Sequence, residues 1–271
     1  MNAPPSSTRC PVCQRRRSSE GACRAHPEVP RAAAAPPAAL PEVLPEGLTA
    51  IAALGEGGGG QVLAVRDSRG ERYALKLSPH ALEREAAALR ALGAPHTPQL
   101  YASGRFRGRW WLLMEELQGA TLAQRLAERP LEPAECLALA ARLAELLGVV
   151  HGRGISHRDL KPENLWLRAS GEVALLDFGL AAAAAASEPQ GAPARAGTPH
   201  YMAPEQCVDA ARAGPAADLY ALGAVLFEVV TGRPVFTGTV DELREAHAQR
   251  RPPSLAEAGA RWPALEPVLA R

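Results

Sequence analysis

Two parts of the sequence carry residue types that could hold a phosphate. Residues 54–62 have the sequence LGEGGGGQV between two strand-like runs, where glycines would let backbone N–H groups approach phosphate oxygens. A strand follows, and no Gly-Lys-Ser/Thr, so the loop matches neither a Walker A loop nor a Rossmann fingerprint. Lys76 stands in an apolar strand, and Glu85 follows nine residues later on a helix, where its carboxylate could hold the ammonium against an anionic ligand. Taken singly, the glycines also suit a flexible hairpin, and the two charges also suit a solvated surface.

Three further motifs follow one another along the chain. Residues 157–164 have the sequence HRDLKPEN, Asp177-Phe178-Gly179 begins thirteen residues after Asn164, and residues 197–205 have the sequence GTPHYMAPE. Together with the glycine loop, the strand lysine and the helix glutamate, this ordered set resembles the eukaryotic-type (Hanks-type) protein kinases, and the bacterial Ser/Thr kinases most closely. The resemblance covers residues 48–271.

The resemblance implies a role in phosphoryl transfer for each matching charged residue. Lys76, oriented by Glu85, would bind the α- and β-phosphates of ATP. Asp159 would accept the proton of the substrate hydroxyl, while Asn164 and Asp177 would hold Mg²⁺.

Three more positions of the same motifs have implied roles. Lys161 would contact the γ-phosphate, and a lysine at this position of the family marks Ser/Thr rather than Tyr specificity. Thr198 would bridge Asp159 and Lys161. Asp218, which opens the helical sequence DLYALGAVLFEVV, resembles the buried aspartate that anchors the catalytic loop.

The resemblance also implies which residues surround the nucleotide. They are Leu54, Gly55, Gly57 and Gly60 in the loop, Val62 and Ala74 as the roof of the adenine pocket, Trp166 as its floor, Met114 as the gatekeeper, and the backbone of Glu115 and Leu117 as the hinge. The apolar members also fit ordinary core packing.

Lysine and asparagine are rare in this chain, and their positions discriminate between two functions. Of the 30 basic residues only Lys76 and Lys161 are lysine, and the only asparagines are Asn2 and Asn164. A guanidinium does not replace a compact ammonium at a phosphate site, and aspartate would add charge beside the metal ions. Because both lysines and the one internal asparagine fall on motif positions, we expect an active Ser/Thr kinase using ATP and Mg²⁺. The alternative is a pseudokinase scaffold that binds ATP and recruits partners.

The elements that must position these residues form two groups. Strand-like runs at 48–54, 61–66, 72–78, 99–105 and 109–116, with one helix at 80–92, predict a small antiparallel sheet. Helical patterns at 133–151 and 216–231 predict a mostly helical second part. We therefore expect an α+β, bilobal protein-kinase-like fold over 46–271, with an N-lobe at 46–118 and a C-lobe at 119–271.

The N-terminal segment indicates a different chemistry. Cys10, Cys13, Cys23 and His26 form two pairs with a nine-residue loop between them, which is typical of a small zinc ribbon. Four protein ligands would close the tetrahedron, so a structural Zn²⁺ is predicted in residues 1–26. A tail with free thiols is the alternative. Residues 27–45 hold six prolines among alanines and are predicted to be a semi-rigid linker.

Charge and hydropathy narrow the classes of partner. The net charge is +1, so no global field draws the chain to nucleic acid or to an anionic membrane. No uninterrupted apolar run approaches the length of a membrane span, and the first residues lack the pattern of a signal peptide. We expect a cytoplasmic protein that acts on protein substrates and is able to phosphorylate itself, without a specific nucleic-acid partner and without a membrane segment in this chain.

Three positions depart from the family pattern. Gly59 stands where the glycine loop usually has an aromatic residue, which predicts a mobile loop. Between Asp177 and Glu205, Ser187 is the only Ser or Thr besides Thr198, so it is the candidate for loop phosphorylation. The family's last arginine, the usual partner of Glu205, is missing. Either Arg233 or another arginine replaces it, or the C-lobe is truncated at its end.

Overall fold

The structure is a computed structural model, and it describes residues 44–45, 47–57, 60–183, 197–210, 213–260 and 262. Its elements in chain order are β1 (Thr49–Gly57), β2 (Gly60–Arg66), β3 (Arg72–Ser78), α1 (Glu83–Leu92), β4 (Leu100–Phe106), β5 (Arg109–Glu115), β6 (Gly119–Thr121), α2 (Leu122–Glu128), α3 (Pro133–Gly152), β7 (Ile155–Ser156), β8 (Leu165–Arg168), β9 (Val173–Leu175), β10 (Ala182–Ala183), α4 (Pro204–Val208), α5 (Pro215–Thr231) and α6 (Val240–Gln249), with short 3₁₀ turns at Pro162–Asn164 and Pro199–Tyr201.

Two compact units are formed by these elements. The sheet unit contains the described residues up to Gly119 and also Trp166–Ala181. The helical unit contains Ala120–Leu165 and the described residues from Ala182 onward. The segment Trp166–Ala181 packs with the sheet although it follows the catalytic-loop motif in the sequence.

The sheet unit is built on five antiparallel strands in the order β1-β2-β3-β5-β4. The register pairs Val62 with Lys76 and Ala74 with Met114. Because paired residues lie on the same face of a sheet, these four side chains share one face. The other face is apolar and buried, with Leu63, Val65, Leu75 and Leu77 forming a hydrophobic cluster.

Helix α1 begins at Glu83, three residues later than the sequence pattern predicts. The reason is a local turn, in which the backbone N–H of His80 donates to Ser78 Oγ at 3.0 Å and keeps the preceding residues out of the helix. The helix buries Leu89 and Leu92 together with Glu85. It therefore carries a carboxylate on its apolar face.

The helical unit centres on α3 and α5, which pack against each other. Both helices begin with a proline at the first turn, where the missing N–H costs no hydrogen bond. The apolar face of α3 is buried at Leu139, Leu143, Leu146, Leu147 and Val150, whereas Leu137 is 43% exposed because it lies out of phase with that face.

The predicted α+β class, with an antiparallel N-terminal sheet that carries one helix and a mostly helical remainder, is confirmed. The predicted zinc ligands Cys10, Cys13, Cys23 and His26 lie outside the described residues, as do Gly59 and Ser187. Among the residues that are described, no cluster of His, Cys, Asp or Glu is placed to hold a metal ion. None of the helices in that same part of the chain is both long and apolar enough to cross a bilayer.

Candidate active site

The Lys76 side chain is buried in the sheet unit and donates three hydrogen bonds to two carboxylates. Its Nζ lies 2.8 and 2.7 Å from the two carboxylate oxygens of Glu85, and 3.0 Å from Oδ1 of Asp177. Only 8% of the Lys76 side chain and 3% of the Glu85 side chain are exposed. Burial by itself lowers the pKa of Lys76, but the carboxylates of Glu85 and Asp177 outweigh it and raise that pKa, so the ammonium stays charged.

Asp177, which accepts a hydrogen bond from Lys76, has an uncommon backbone conformation. Its φ is +59°, in the left-handed region, which costs a residue with a Cβ about 1–3 kcal/mol. The hydrogen bond from Lys76 helps to offset this cost. The Asp177 side chain is 42% exposed, so its carboxylate faces solvent as well as the lysine.

The predicted adenine-pocket residues lie in the same unit. Val62, Ala74 and Met114 share the sheet face that carries Lys76, as the strand register requires. Trp166 is half-buried on β8, and its Nε1 donates to the carbonyl of Gln118 at 3.2 Å, next to the predicted hinge. Leu54 and Leu117 complete the set, with Leu54 51% exposed and Leu117 half-buried.

The glycine loop connects β1 and β2, and its described glycines pair across the hairpin. Gly55 is the register partner of Val62, and Gly57 is the partner of Gly60. Gly60 has a φ of +121°, and a Cβ there would stand 2.1 Å from the carbonyl oxygen of Leu77. Only glycine fits this contact, so Gly60 is required by the packing of β2 on β3 in addition to any role at a phosphate.

In the helical unit, Asp159 is the acceptor in a compact charged network. Its Oδ2 accepts a hydrogen bond from Lys161 Nζ at 2.6 Å, and its Oδ1 accepts one from the Thr198 hydroxyl at 2.8 Å. Lys161 also donates to Thr198 Oγ1 at 3.0 Å. The three side chains therefore hold one another in place, in the arrangement that the resemblance implied for Thr198.

Asn164 lies beside this network and is buried. Its side-chain nitrogen donates to the backbone carbonyl of Asp159 at 2.8 Å and to Asp159 Oδ2 at 3.3 Å. Both bonds use the amide nitrogen, so the side-chain oxygen is left to act as a ligand. Amide and carboxylate oxygens are the donors that Mg²⁺ prefers, so Asn164 and, in the sheet unit, Asp177 fit the predicted Mg²⁺ ligands by their chemistry.

The loop that carries Asp159 is anchored by Asp218, which is completely buried at the start of α5. The Asp218 carboxylate accepts hydrogen bonds from the backbone N–H groups of His157 and Arg158 at 2.8 and 2.7 Å, and it lies 2.8 Å from His151 Nε2. Arg158 has a φ of +67°, a strained value for a residue with a Cβ. Two charge-assisted backbone bonds at this point stabilise the strained turn.

Two residues that the sequence analysis did not single out support the same loop. His151, at the end of α3, contacts Asp218, and Gln206 donates from Nε2 to the carbonyl of Arg158 at 2.9 Å. Gln206 is buried, and its side-chain oxygen also accepts the backbone N–H of Ala203 at 3.1 Å. No sequence motif indicated either contact, since both depend on backbone atoms or on a partner far along the chain.

Glu205 lies half-buried in the first turn of α4. In the described part of the chain it forms no ion pair, and the Arg233 residue expected to reach it makes its hydrogen bonds through its backbone to Thr231. The expected Arg233–Glu205 pair is therefore not formed. The N-terminal position in a helix is favourable for a negative charge, which stabilises this carboxylate although no described arginine pairs with it.

Comparisons with known proteins agree with this geometry. A family model described as the protein kinase domain matches residues 48–265. The chain is 35% identical over 233 residues to the serine/threonine-protein kinase PknD of Mycobacterium tuberculosis, which covers 80% of this chain and 35% of that protein. It is 36% identical over 217 residues to the serine/threonine-protein kinase pkn2 of Myxococcus xanthus, covering 73% of this chain and 26% of pkn2.

A third relative is the serine/threonine-protein kinase PknE of M. tuberculosis, 33% identical over 212 residues, which covers 74% of this chain and 37% of PknE. The chain thus spans between about a quarter and just over a third of the length of these curated relatives. The family model covers most of the chain, and its matched range includes the residues of the two networks around Lys76 and Asp159. The chain belongs to the protein kinase domain family.

Proposed function

We propose that this chain transfers the γ-phosphate of MgATP to serine or threonine hydroxyl groups of proteins. The observation that carries the proposal is the placement of the only two lysines in a chain with 30 basic residues. Lys76 is bonded to Glu85 and Asp177, and Lys161 is bonded to Asp159 and Thr198. Both ammonium groups are held by carboxylates in fixed positions, as phosphate-binding cations must be.

Asp159 would act on the substrate hydroxyl. As the hydroxyl oxygen forms its bond to the γ-phosphorus, the bond from that phosphorus to the bridging oxygen breaks, and ADP leaves with the bonding electrons. The hydroxyl proton passes to the Asp159 carboxylate. Lys161 and Thr198 hold that carboxylate by their hydrogen bonds, so it does not need to reorganise during the step.

Lys76 would bind the nucleotide phosphates, with Glu85 fixing its ammonium. Asn164 and Asp177 would hold Mg²⁺, which neutralises phosphate charge when it is bound. Asp177 already accepts a hydrogen bond from Lys76, so nucleotide binding has to share this ammonium between a phosphate and a carboxylate. The partial exposure of Asp177 leaves room for that exchange.

The proposed substrates are proteins. Serine and threonine are favoured over tyrosine because of Lys161, and the chain is proposed to phosphorylate itself, with Ser187 as the candidate acceptor. The names of the relatives PknD, pkn2 and PknE support the Ser/Thr class. We place the reaction in the cytoplasm, where ATP is available, and the two described cysteines, Cys136 and Cys207, form no disulfide with each other, which suits a reducing compartment. No nucleic-acid partner is proposed.

The test is incubation of the chain with labelled ATP, Mg²⁺ and a generic basic protein, followed by phosphoamino-acid analysis and mass spectrometry of both proteins. We expect label on serine or threonine. Label confined to tyrosine would contradict the Ser/Thr assignment. Tight ATP binding without any transfer would favour the scaffold function instead.

We also propose that Cys10, Cys13, Cys23 and His26 bind one structural Zn²⁺. The support is the ligand spacing alone, with two pairs separated by a short loop. Metal analysis of protein purified without chelator should find about one zinc per chain for a four-ligand site, and Cys13→Ser should lose it. The His151→Gln variant changes a histidine outside the motif and should keep the zinc. Absence of zinc from the unaltered chain would contradict this proposal.

A further inference from the structure

Arg168 joins three segments of the sheet unit through its guanidinium group. Nη1 and Nη2 donate to the two carboxylate oxygens of Glu115 at 2.6 and 3.0 Å. Nε donates to the carbonyl of Pro95 at 3.2 Å, and Nη2 donates to the carbonyl of Thr97 at 3.1 Å. The Arg168 side chain is 11% exposed and the Glu115 side chain is 28% exposed, so these four bonds are partly shielded from water.

The Glu115 side chain is held from a second direction. Its Oε2 also accepts the backbone N–H of Gln99 at 3.2 Å, and the backbone N–H of Glu115 donates to the carbonyl of Gln99 at 2.9 Å. Hydrogen bonds from Arg168 lower the pKa of the Glu115 carboxyl, so it is charged at neutral pH. A charged, bidentate pair between a planar guanidinium and a carboxylate is directional, and it fixes the orientation of both groups.

The three joined segments all bear on the nucleotide-binding residues. Glu115 ends β5 and begins the hinge, whose backbone the family resemblance assigns to the adenine base. Pro95 and Thr97 lie between α1 and β4, directly after the helix that carries Glu85. Arg168 ends β8, two residues after Trp166, so both side chains project from the same side of one strand.

The neighbouring hinge residue makes an ion pair of a different kind. Arg72 donates to Glu116 at 2.7 and 2.6 Å, which is also bidentate. The Arg72 side chain is 48% exposed, and no backbone carbonyl accepts from it among the described residues. This pair joins the start of β3 to the residue after β5, and its Glu116 side chain is 12% exposed. It is thus a second bidentate pair that lacks the carbonyl bonds of Arg168, and it serves as a matched control.

We infer that Arg168 is a positioning residue for adenine recognition, which sets the place of the hinge backbone by holding Glu115 against the segment between α1 and β4. This inference rests on the proposed function. The hinge carbonyl would accept a hydrogen bond from the 6-amino group of adenine, whereas guanine presents an oxygen at that position. A hinge that is no longer held should therefore discriminate less between the two bases.

The test is calorimetric binding of MgADP and MgGDP to the full chain and to its Arg168→Gln variant. We expect the Kd for ADP to rise about tenfold, since a partly buried bidentate pair and two carbonyl bonds are lost, while the Kd for GDP changes by no more than about twofold. The kcat at saturating ATP should stay within about threefold of the unaltered chain, so that the change is in KM.

Two further variants guard against misfolding and against a general charge effect. Arg72→Gln removes the Arg72–Glu116 pair, whose arginine is the exposed partner, and should change neither Kd by more than about twofold. Glu115→Gln keeps the shape of the side chain and should reduce the preference for ADP over GDP by about threefold, even if Arg168→Gln does not fold.

The outcomes distinguish a failure of this inference from a failure of the proposed function. An unchanged ratio of ADP to GDP affinity in folded Arg168→Gln, or in Glu115→Gln, would overturn the inference and leave the proposed function intact. An equal loss of preference in Arg72→Gln would also overturn it. Failure of the unaltered chain to bind ADP would overturn the proposed function and this inference with it.

Discussion

Replacement of Lys76 by methionine, alone and together with a change at Glu85, should separate the contribution of the Lys76–Glu85 pair to stability from its contribution to phosphate transfer. The variant removes the cation from a carboxylate whose side chain is 3% exposed. Loss of one partner of a buried pair costs about 3–5 kcal/mol of unfolding free energy. We take about 3 kcal/mol, because Asp177 is 42% exposed and can be hydrated once Lys76 is gone. For a domain of this size that corresponds to a fall in Tm of about 6–12 °C.

A second substitution should recover most of the lost stability and none of the activity. In the double variant Lys76→Met, Glu85→Gln the buried carboxylate is replaced by a neutral amide of the same shape. Exchange of both members of a buried pair for neutral groups is often close to neutral for stability. Phosphate transfer should remain abolished, because no ammonium is left to bind the nucleotide phosphates.

The assays are urea unfolding followed by circular dichroism and transfer of labelled phosphate from ATP, run on the unaltered chain and both variants. The Leu137→Ala variant, which changes an exposed leucine on α3, is a suitable control and should behave as the unaltered chain in both assays. Any of three results would contradict the roles assigned to Lys76 and Glu85. They are a Lys76→Met variant as stable as the unaltered chain, a double variant no more stable than Lys76→Met, and full activity in either variant.

Three further expectations follow from the helical unit. Thr198→Val removes the hydroxyl that bonds Asp159 and Lys161 and should lower kcat at least about tenfold with little change in Tm, and an unchanged kcat would contradict the positioning role. Asp218→Asn leaves backbone N–H donors facing an amide and should lower the unfolding free energy by about 2–3 kcal/mol, measured by urea unfolding, and equal stability would count against the anchor. Burial lowers the pKa of His247 from 6.5 to about 4. Between these pH values the unfolded chain therefore binds a proton that the folded chain does not. The free energy of unfolding should fall by about 3 kcal/mol as the pH drops through that window. His247→Gln should flatten this part of the stability profile, and an identical profile would exclude His247 as its cause.

The charged residues of the site could be predicted from the sequence because binding a phosphate or accepting a proton requires particular side-chain types. Lys76 and Glu85 are nine residues apart on a strand and a helix, and the structure joins them at 2.7 Å. Lys161 and Thr198 are far apart in the sequence, and their contact followed from the family resemblance rather than from spacing. The strand runs predicted the five-stranded sheet because strands show as short apolar runs between turn residues.

The residues that hold the site in place could not be predicted in the same way. Arg168 donates to the backbone carbonyls of Pro95 and Thr97. Because every residue has a backbone carbonyl, such an acceptor cannot be recognised from the amino-acid sequence. Gln206 likewise donates to the carbonyl of Arg158. Because 28 of the 30 basic residues are arginine, the composition did not distinguish Arg168, whose side chain is 11% exposed beside the hinge, from the other arginines.

The proposal that Asp159 accepts the hydroxyl proton during phosphate transfer has one direct test. Transfer of the γ-phosphate from labelled ATP is measured for the unaltered chain and for Asp159→Asn. Nucleotide affinity is measured in the same samples. The substituted amide cannot accept the hydroxyl proton, yet it leaves the network around Lys76 unchanged. We expect the unaltered chain to label serine or threonine, and Asp159→Asn to bind the nucleotide with similar affinity while transfer falls at least about a hundredfold. Equal transfer by both proteins, or no transfer by the unaltered chain when it is saturated with MgATP, would contradict the account.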